Sequence, residues 1–166
     1  MKDIVYVQLR AKELTLRNVT QVKGYQDIPI LLIRPQGQRY SVIAYGKKAM
    51  SQFTANSETV IVNGFDHPRS IIGDFEAAEK TLELFLAEVD CRQYRFTPYA
   101  PYKVILHPLE KLDGGLTTTE KRALQDMAYR VRARKVMVWE GRLLTDQEIL
   151  TDSFPTDGKL FPTIRK

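Results

Sequence analysis

The hydrophobic pattern of the chain changes from short apolar runs to helical spacing at about residue 74. Before that point, apolar or β-branched runs alternate with turn residues, which predicts a series of strands. The predicted strands span residues 4–9, 14–18, 28–33, 40–44 and 59–62. The first two are close enough to form a hairpin around Arg10, Ala11 and Lys12. Residues 22–27, which contain Gly24, are interpreted as a connection, and residues 46–53 as a short helix.

Helical spacing is clearest after Asp74, a residue type that often caps a helix N-terminus. Phe75, Ala78, Leu82 and Phe85 then recur on one side of a helix that extends to about residue 89. A further short helix is predicted over residues 145–150.

Residues 102–140 contain a strand–helix–strand unit. Residues 103–107 and 135–139 are apolar runs of the kind that is buried on both faces of a sheet. Thr117 followed by Glu120 is a capping-box signature for the helix between them. The crossover is expected to be right-handed. Strands followed by a helix and a β-α-β unit predict an α/β fold with a mixed, twisted sheet and flanking helices.

Composition fits one soluble domain. The chain has 166 residues, of which 43% are hydrophobic and 27% charged, enough to bury about 70% of its unfolded surface. No apolar run is long enough to span a membrane, and residues 1–9 lack the features of a signal peptide. A single cysteine, Cys91, makes no internal disulfide, so a reducing cytoplasm is the expected location.

The positive charge of the chain allows several partners. A net charge of +5 would attract nucleic acid, an anionic membrane surface or an acidic protein, and selects none of them. The densest basic run holds Arg130, Arg132, Arg134 and Lys135. These cations could contact phosphates or lipid headgroups. They could equally complement the dipole at the end of the preceding helix.

Several segments resemble the bacterial actin family, the rod-shape-determining MreB/Mbl proteins, in collinear order. The segment at 44–50, AYGKKAM, is similar to the family's A-x-G-x-x-A segment. The helix at 71–89 matches through Asp74, Phe75, Glu79, Lys80, Leu82 and Phe85. Glu120, Arg122, Ala123 and Leu124 match the start of the next helix, and residues 133–136 the turn into the last strand. The resemblance implies the first lobe of an actin-like, ribonuclease-H-like fold over residues 1–150. Residues 151–166 are expected to form a turn-rich, loosely packed tail.

The nucleotide chemistry of that family has no clear counterpart in this sequence. The family's phosphate loop lies in its first hairpin, where a glycine lets the backbone approach phosphate. Here the turn holds Arg10 and Lys12 and no glycine. The family's water-positioning carboxylate follows the last strand of the strand–helix–strand unit. Glu140 lies nearly there, but Gly141 falls at the position itself, and the chain is too short for the second lobe.

Two other clusters are candidate sites. His107 lies near Glu110 and Asp113, which are residue types that bind metals, although a structural loop is favoured. Residues 92–103 interleave aromatic and basic side chains, a pattern that stacks bases or packs on a sheet edge.

We therefore expect a non-enzymatic, actin-like single lobe that acts through protein partners or self-association in bacterial cell shape or cytoskeletal organisation. No cofactor, metal or small-molecule substrate is expected. The alternative is a basic nucleic-acid-binding module on a ribonuclease-H-like scaffold. A third hypothesis is an enzyme completed by another chain, with Glu140 orienting water.

Overall fold

The computed structural model describes residues 3–55, 57–91 and 102–162. Nine strands and four helices follow one another along these described ranges. They are β1 (Asp3–Leu9), β2 (Leu14–Asn18), β3 (Lys23–Asp27), β4 (Ile30–Gln36), β5 (Arg39–Tyr45), α1 (Lys47–Gln52), β6 (Val60–Asn63), α2 (Phe75–Glu88), β7 (Tyr102–Pro108), α3 (Thr118–Arg130), β8 (Lys135–Glu140), α4 (Asp146–Thr151) and β9 (Lys159–Pro162).

The larger sheet has six strands in the order β3-β2-β1-β7-β8-β9. β1, β2 and β3 form an antiparallel meander. β1 is parallel to β7, and β7 is parallel to β8, as expected of strands joined through a helical crossover. All seven residues of β7 are buried, which explains why residues 104–106 at its centre are all apolar.

The two long helices begin as the sequence predicts and cover one face of the larger sheet. Asp74 caps α2 by accepting a hydrogen bond from the Ala77 N–H at 3.0 Å. Thr117 and Glu120 form a reciprocal capping box at the start of α3. The main hydrophobic core lies between these helices and the strands, and includes Leu82, Phe85 and Leu124. A second cluster on the other face surrounds Tyr6 and Trp139.

A smaller sheet has three strands in the order β5-β4-β6. Its own core contains Ile30, Leu32, Ala44 and Ala49, the last on α1. Asp27 joins the two sheets, because its carboxylate accepts hydrogen bonds from the N–H groups of Ile28 at 2.8 Å and Lys47 at 2.9 Å.

Two sequence interpretations are wrong. Residues 22–27 are not only a connection, because β3 pairs with β2 throughout its length. The segment after residue 150 is not loosely packed throughout, because β9 pairs antiparallel with β8. The mixed sheet is also accompanied by a second sheet that the sequence did not separate from it. No helix in the described ranges is long and apolar enough to cross a membrane.

Candidate functional site at the carboxyl ends of the parallel strands

The carboxyl ends of β1, β7 and β8 meet at one edge of the larger sheet. The register pairs Leu9 with Pro108 and Leu106 with Val138, which places Glu140 level with Pro108. Ligands of open α/β sheets bind outside this edge. The hairpin turn, the loop after β7 and the loop after β8 therefore form the candidate site.

The hairpin turn is bonded on both sides by the protein itself. The Ala11 N–H donates to the Glu110 carboxylate at 3.0 Å. The Ala11 carbonyl accepts from the Asn63 side-chain amide at 2.7 Å. Arg10 and Glu13 close the turn with two backbone hydrogen bonds to each other. A backbone donor that a phosphate-binding turn would offer is therefore already used, and by a negatively charged group.

The two cations of this turn, Arg10 and Lys12, are exposed to solvent. They lie where the sequence predicts anion contact, and no described residue forms an ion pair with either. Their charge is therefore available to an anion that approaches from solvent, but the turn offers no glycine-lined cradle beneath them.

Glu140 lies at the end of β8 and is held by the protein. Its carboxylate pairs with the Lys121 ammonium at 2.7 Å and accepts from the Leu116 N–H at 3.1 Å. Burial opposes ionisation of this carboxyl, but the Lys121 and Leu116 bonds outweigh it and lower the pKa of Glu140. The carboxylate is thus ionised and occupied by a cation and a backbone donor.

Gly141, which the sequence resemblance aligns with a catalytic carboxylate, has no room for a side chain. A Cβ there would lie 2.5 Å from the Trp139 indole and 3.2 Å from Gly158. The indole is fully buried and donates from Nε1 to the Arg142 carbonyl at 2.8 Å. The loop after β8 is therefore shaped around Trp139, and a carboxylate at residue 141 would displace it.

His107 lies in a buried chain of hydrogen bonds below this edge. The Leu144 N–H donates to the Tyr6 hydroxyl at 3.3 Å. The Tyr6 hydroxyl lies 2.5 Å from His107 Nδ1, and His107 Nε2 lies 3.0 Å from the Gly141 carbonyl. The chain is satisfied when Nε2 carries the proton and Nδ1 accepts from Tyr6.

Burial fixes the charge of that histidine. It lowers the pKa of His107 to about 4, so the imidazole is neutral at pH 7. Because both ring nitrogens already have partners, neither is open to the metal ion that the sequence made conceivable. Within the described ranges, no group of three or more metal-binding side chains forms a cluster.

The four predicted basic residues near the end of α3 lie on the surface but do not form a single free patch. Arg130 pairs with Glu79 at 3.5 Å and lies over the Phe75 ring. Lys135 lies 3.9 Å from Asp152. Arg132 and Arg134 are exposed, and neither forms an ion pair with a described residue. The aromatic and basic residues at 92–101 lie outside the described residues.

Sequence reasoning missed the two side chains that bind the backbone of Ala11 in the hairpin turn, Glu110 and Asn63. The sequence indicates Glu110 only as a metal-binding residue type, and Asn63 only as the residue that follows the strand predicted at 59–62. Their contacts with Ala11 span 99 and 52 positions in the chain. A local sequence pattern cannot predict contacts over such separations, although it predicts the hairpin turn and the end of the strand.

Comparisons with known proteins identify the fold. No family model matches the chain, and no curated protein matches it either. Among solved structures, MreB5 of Spiroplasma citri bound to ADP is 18% identical, with a TM-score of 0.63 over 83% of this chain. The same protein bound to AMPPNP is also 18% identical, with a TM-score of 0.59 over the same 83% of this chain. A non-polymerising mutant of MamK bound to AMPPNP is 16% identical, with a TM-score of 0.60 over 82% of this chain.

These similarities show that the chain has an actin-like α/β fold. The chain spans only 38% of either MreB5 chain and 40% of the MamK chain. The predicted fold class is therefore confirmed, whereas membership of the rod-shape-determining family is not shown at these identities.

Proposed function

We propose that the protein is a non-enzymatic actin-like lobe that acts through protein–protein contacts in bacterial cell shape or cytoskeletal organisation. The observation that carries this proposal is the occupied hairpin turn, in which Glu110 binds the Ala11 N–H. A nucleotide phosphate would have to displace that carboxylate and would meet its charge, since like charges repel at short range. The protein's own side chain thus takes a donor that a phosphate would use.

The carboxyl end of β8 and the loop that follows it support the same proposal. Glu140 is held in place by the Lys121 ammonium and the Leu116 N–H rather than turned toward the open edge of the sheet. A residue with a carboxylate side chain cannot replace Gly141 unless Trp139 moves. Catalysis needs a base within hydrogen-bond reach of the reacting water, so the engagement of Glu140 and the absence of a side chain at Gly141 support a non-enzymatic role.

An exposed apolar side chain at the same edge favours a protein partner. Leu143, in the loop after β8, is 55% exposed. Single exposed apolar residues are common on protein surfaces, so Leu143 supports the proposal only together with the occupied hairpin turn.

Calorimetric titration with ATP and Mg²⁺ tests the non-enzymatic part of the proposal. We expect no saturable binding at millimolar nucleotide and no phosphate release above background. Glu110→Gln is the matched variant, because it removes the charge and keeps an acceptor for the Ala11 N–H. It should also fail to bind, because the turn contains no glycine. Saturable binding by the wild type, or turnover that Glu140→Gln abolishes, would support the enzyme completed by another chain.

Capture from bacterial extracts tests the partner. The immobilised protein should recover bacterial actin equally from extracts with and without nuclease treatment. Recovery that disappears after nuclease treatment would contradict the proposal.

A second candidate is a nucleic-acid-binding module, and the exposed, unpaired Arg132 and Arg134 favour it. Binding would be electrostatic, with an affinity that falls steeply as salt rises. The double variant Arg132→Gln/Arg134→Gln should weaken binding to a labelled DNA duplex and reduce the salt slope by about two. Unmeasurable affinity at low salt would remove this candidate.

A further inference from the structure

An open groove of about 870 Å³ lies between β5 and α2, away from the site described above. Its volume is within the range of roughly 300–1,000 Å³ that is usual for ligand-binding pockets. Four consecutive residues, 42–45, line one wall. Successive side chains of a strand point to opposite faces. Consecutive lining residues therefore mean that the edge of β5, rather than one of its faces, borders the groove.

The opposite wall is a single stripe of α2. Lys80, Leu84 and Glu88 line the groove, and their spacing of four places them on one face of the helix. The Tyr45 hydroxyl donates to Glu88 at one end of the groove. Near the other end, Glu76 and Asp74 are among the charges that act on Tyr40. The five residue steps between the tyrosines span about 17 Å, so the groove accommodates an extended segment of about five residues.

β5 has an unpaired edge on the side of the groove. In the described part of the chain it pairs only with β4, at the end of the three-stranded sheet. Such an edge presents free N–H and C=O groups, which can add another strand. A register shift leaves Ile43 without a partner on β4, and its side chain is 41% exposed. This bulge limits indiscriminate edge pairing and provides an apolar anchor within the groove.

The groove carries an excess of negative charge. Asp27 accepts hydrogen bonds from the Tyr25 hydroxyl and two backbone N–H groups, all of which are neutral. Glu88 accepts from the Tyr45 hydroxyl, also neutral. That bond and partial burial raise the pKa of Tyr45 to about 12. Lys80 is already paired with Glu83 at 2.7 Å, so its charge does not compensate either carboxylate.

One cation, Lys48, also lines the groove, and no described residue forms an ion pair with it. Asp27 and Glu88 outnumber Lys48, the one lining ammonium that does not pair with a described residue, so the groove complements a basic residue. Ile43 and Leu84 supply apolar surface on the two facing walls.

We propose that this groove binds an extended segment of a partner protein, which adds as a strand along β5 and reaches Asp27 and Glu88 with a lysine or arginine. Apolar residues of the segment pack on Ile43 and Leu84. This assignment rests on the proposed function, because it names the surface through which the lobe contacts its partner.

The test uses a displayed library of random twelve-residue peptides, selected on the whole protein. Enriched peptides should contain a lysine or arginine flanked by apolar residues. Ile43→Glu should weaken their binding at least tenfold, because it buries a charge against the apolar wall. Glu88→Gln should weaken it roughly three- to fivefold, as expected for a partly exposed ion pair. Bound peptide should also slow hydrogen exchange of β5 amides, which a contact through side chains alone would not do.

Matched controls separate the groove from general effects on folding. Val60→Glu places the same charge on β6, the opposite edge of the same sheet, where Val60 is 48% exposed. Glu58→Gln removes an exposed carboxylate outside the groove. Both should bind selected peptides as the wild type does. Thermal unfolding of every variant establishes that it is folded.

Several results would overturn the assignment. They are the absence of any enriched peptide, enrichment of acidic peptides, equal binding by Ile43→Glu, and unprotected β5 amides. Concentration-dependent self-association that Ile43→Glu abolishes would instead identify a second copy as the occupant. Recovery of bacterial actin by Ile43→Glu at the wild-type level would remove the groove while leaving the proposed function intact. Nucleotide turnover would remove the proposed function. The selected peptides and the Ile43→Glu and Glu88→Gln variants would still decide whether the groove binds an extended segment.

Discussion

At the scale of single residues, the Tyr6–His107 chain shows how buried polar groups are satisfied inside an apolar sheet. Tyr6 lies on β1 and His107 on β7, and both are completely buried. Their polar atoms are satisfied by each other, by the Leu144 N–H and by the Gly141 carbonyl, as buried polar groups generally are. The chain ties the loop after β8 to the centre of the sheet through Gly141 and Leu144.

Removing the Tyr6 hydroxyl should destabilise the fold. Tyr6→Phe leaves His107 Nδ1 and the Leu144 N–H without their partner, and an unsatisfied buried polar group costs about 1–3 kcal/mol. Chemical denaturation should show a free energy of unfolding that is lower by this amount. Tyr40→Phe is the control, because the Tyr40 hydroxyl bonds no described residue. A loss below about 0.5 kcal/mol for Tyr6→Phe, comparable with neutral surface substitutions, would contradict this account.

The neutral state of His107 also predicts a dependence of stability on pH. The folded-state pKa of about 4 lies below the unfolded value of 6.5, so the unfolded chain binds the proton more readily. The stabilisation is complete above pH 6.5 and is lost as the pH falls toward 4. Between pH 7.5 and 5.0 the loss should be about 2 kcal/mol.

Denaturation at these two pH values measures that loss. His107→Gln keeps hydrogen-bonding atoms but cannot titrate, so its free energy of unfolding should change much less over the same interval. Equal losses in the two proteins would assign the pH dependence to other groups.

At the scale of elements, most strands and all four described helices follow from the sequence, because local chemistry determines them. The Asp74 cap and the Thr117–Glu120 capping box are local patterns, and both form as predicted. The polar strand β3 has no apolar alternation, and its strand state depends on pairing with β2. β9 contains Pro162 and is held by pairing with β8. In both strands the pairing with a neighbouring strand, rather than the local sequence pattern, determines the strand conformation.

In the candidate site too, local sequence predicts some features and long-range contacts determine the others. The position of the hairpin turn and of Glu140 could be predicted, since each follows a strand. The partners that occupy them, Glu110 and Lys121, come from other segments of the chain. Their contacts depend on how the sheet brings those segments together, and a single sequence does not contain that information locally.

The contact between Gly158 and Trp139 should control the docking of β9. A Cβ at residue 158 would lie 2.2 Å from the indole, so Gly158→Ala forces the ring or the strand to move. Overpacking of this kind costs about 1–3 kcal/mol. Chemical denaturation should show that loss, and the fluorescence of the single tryptophan should report its altered environment.

Gly24→Ala on β3 is the matched control, because its added Cβ would meet only the Leu16 carbonyl, at 3.7 Å. It should cost less than Gly158→Ala and leave the fluorescence unchanged. An unaltered stability of Gly158→Ala would mean that β9 is free to move away from β8.

At the scale of the whole molecule, the protein consists of two sheets whose covalent connection is reinforced by one carboxylate. Asp27 ends β3 and accepts hydrogen bonds from the N–H groups of Ile28, two residues before β4, and Lys47, the first residue of α1. Gly46 allows this approach, because a Cβ there would lie 1.9 Å from Asp27 Oδ2. The orientation of the small sheet therefore depends on a side chain as well as on the backbone.

Removing that carboxylate should loosen the small sheet selectively. Asp27→Ala leaves two backbone donors and the Tyr25 hydroxyl without this partner. Amide hydrogen exchange of β4–β6 should accelerate at least about fivefold, whereas exchange of β7 in the large sheet should not change. Asp27→Asn retains one acceptor oxygen and should have a smaller effect. Uniform acceleration in both sheets would show that they unfold as one unit.

The parallel pairing of β1 with β7 has a consequence for how the chain is made. Asp3 pairs with Tyr102, and translation at about 5–20 residues per second separates their synthesis by roughly 5–20 seconds. During that interval β1 is paired with β2 on one side only, and its other edge has no partner, although β1 is apolar and central in the finished sheet. The nascent chain thus exposes the unpaired edge of β1 while it is still attached to the ribosome. A chaperone that covers extended apolar segments would be needed at that stage more than after release.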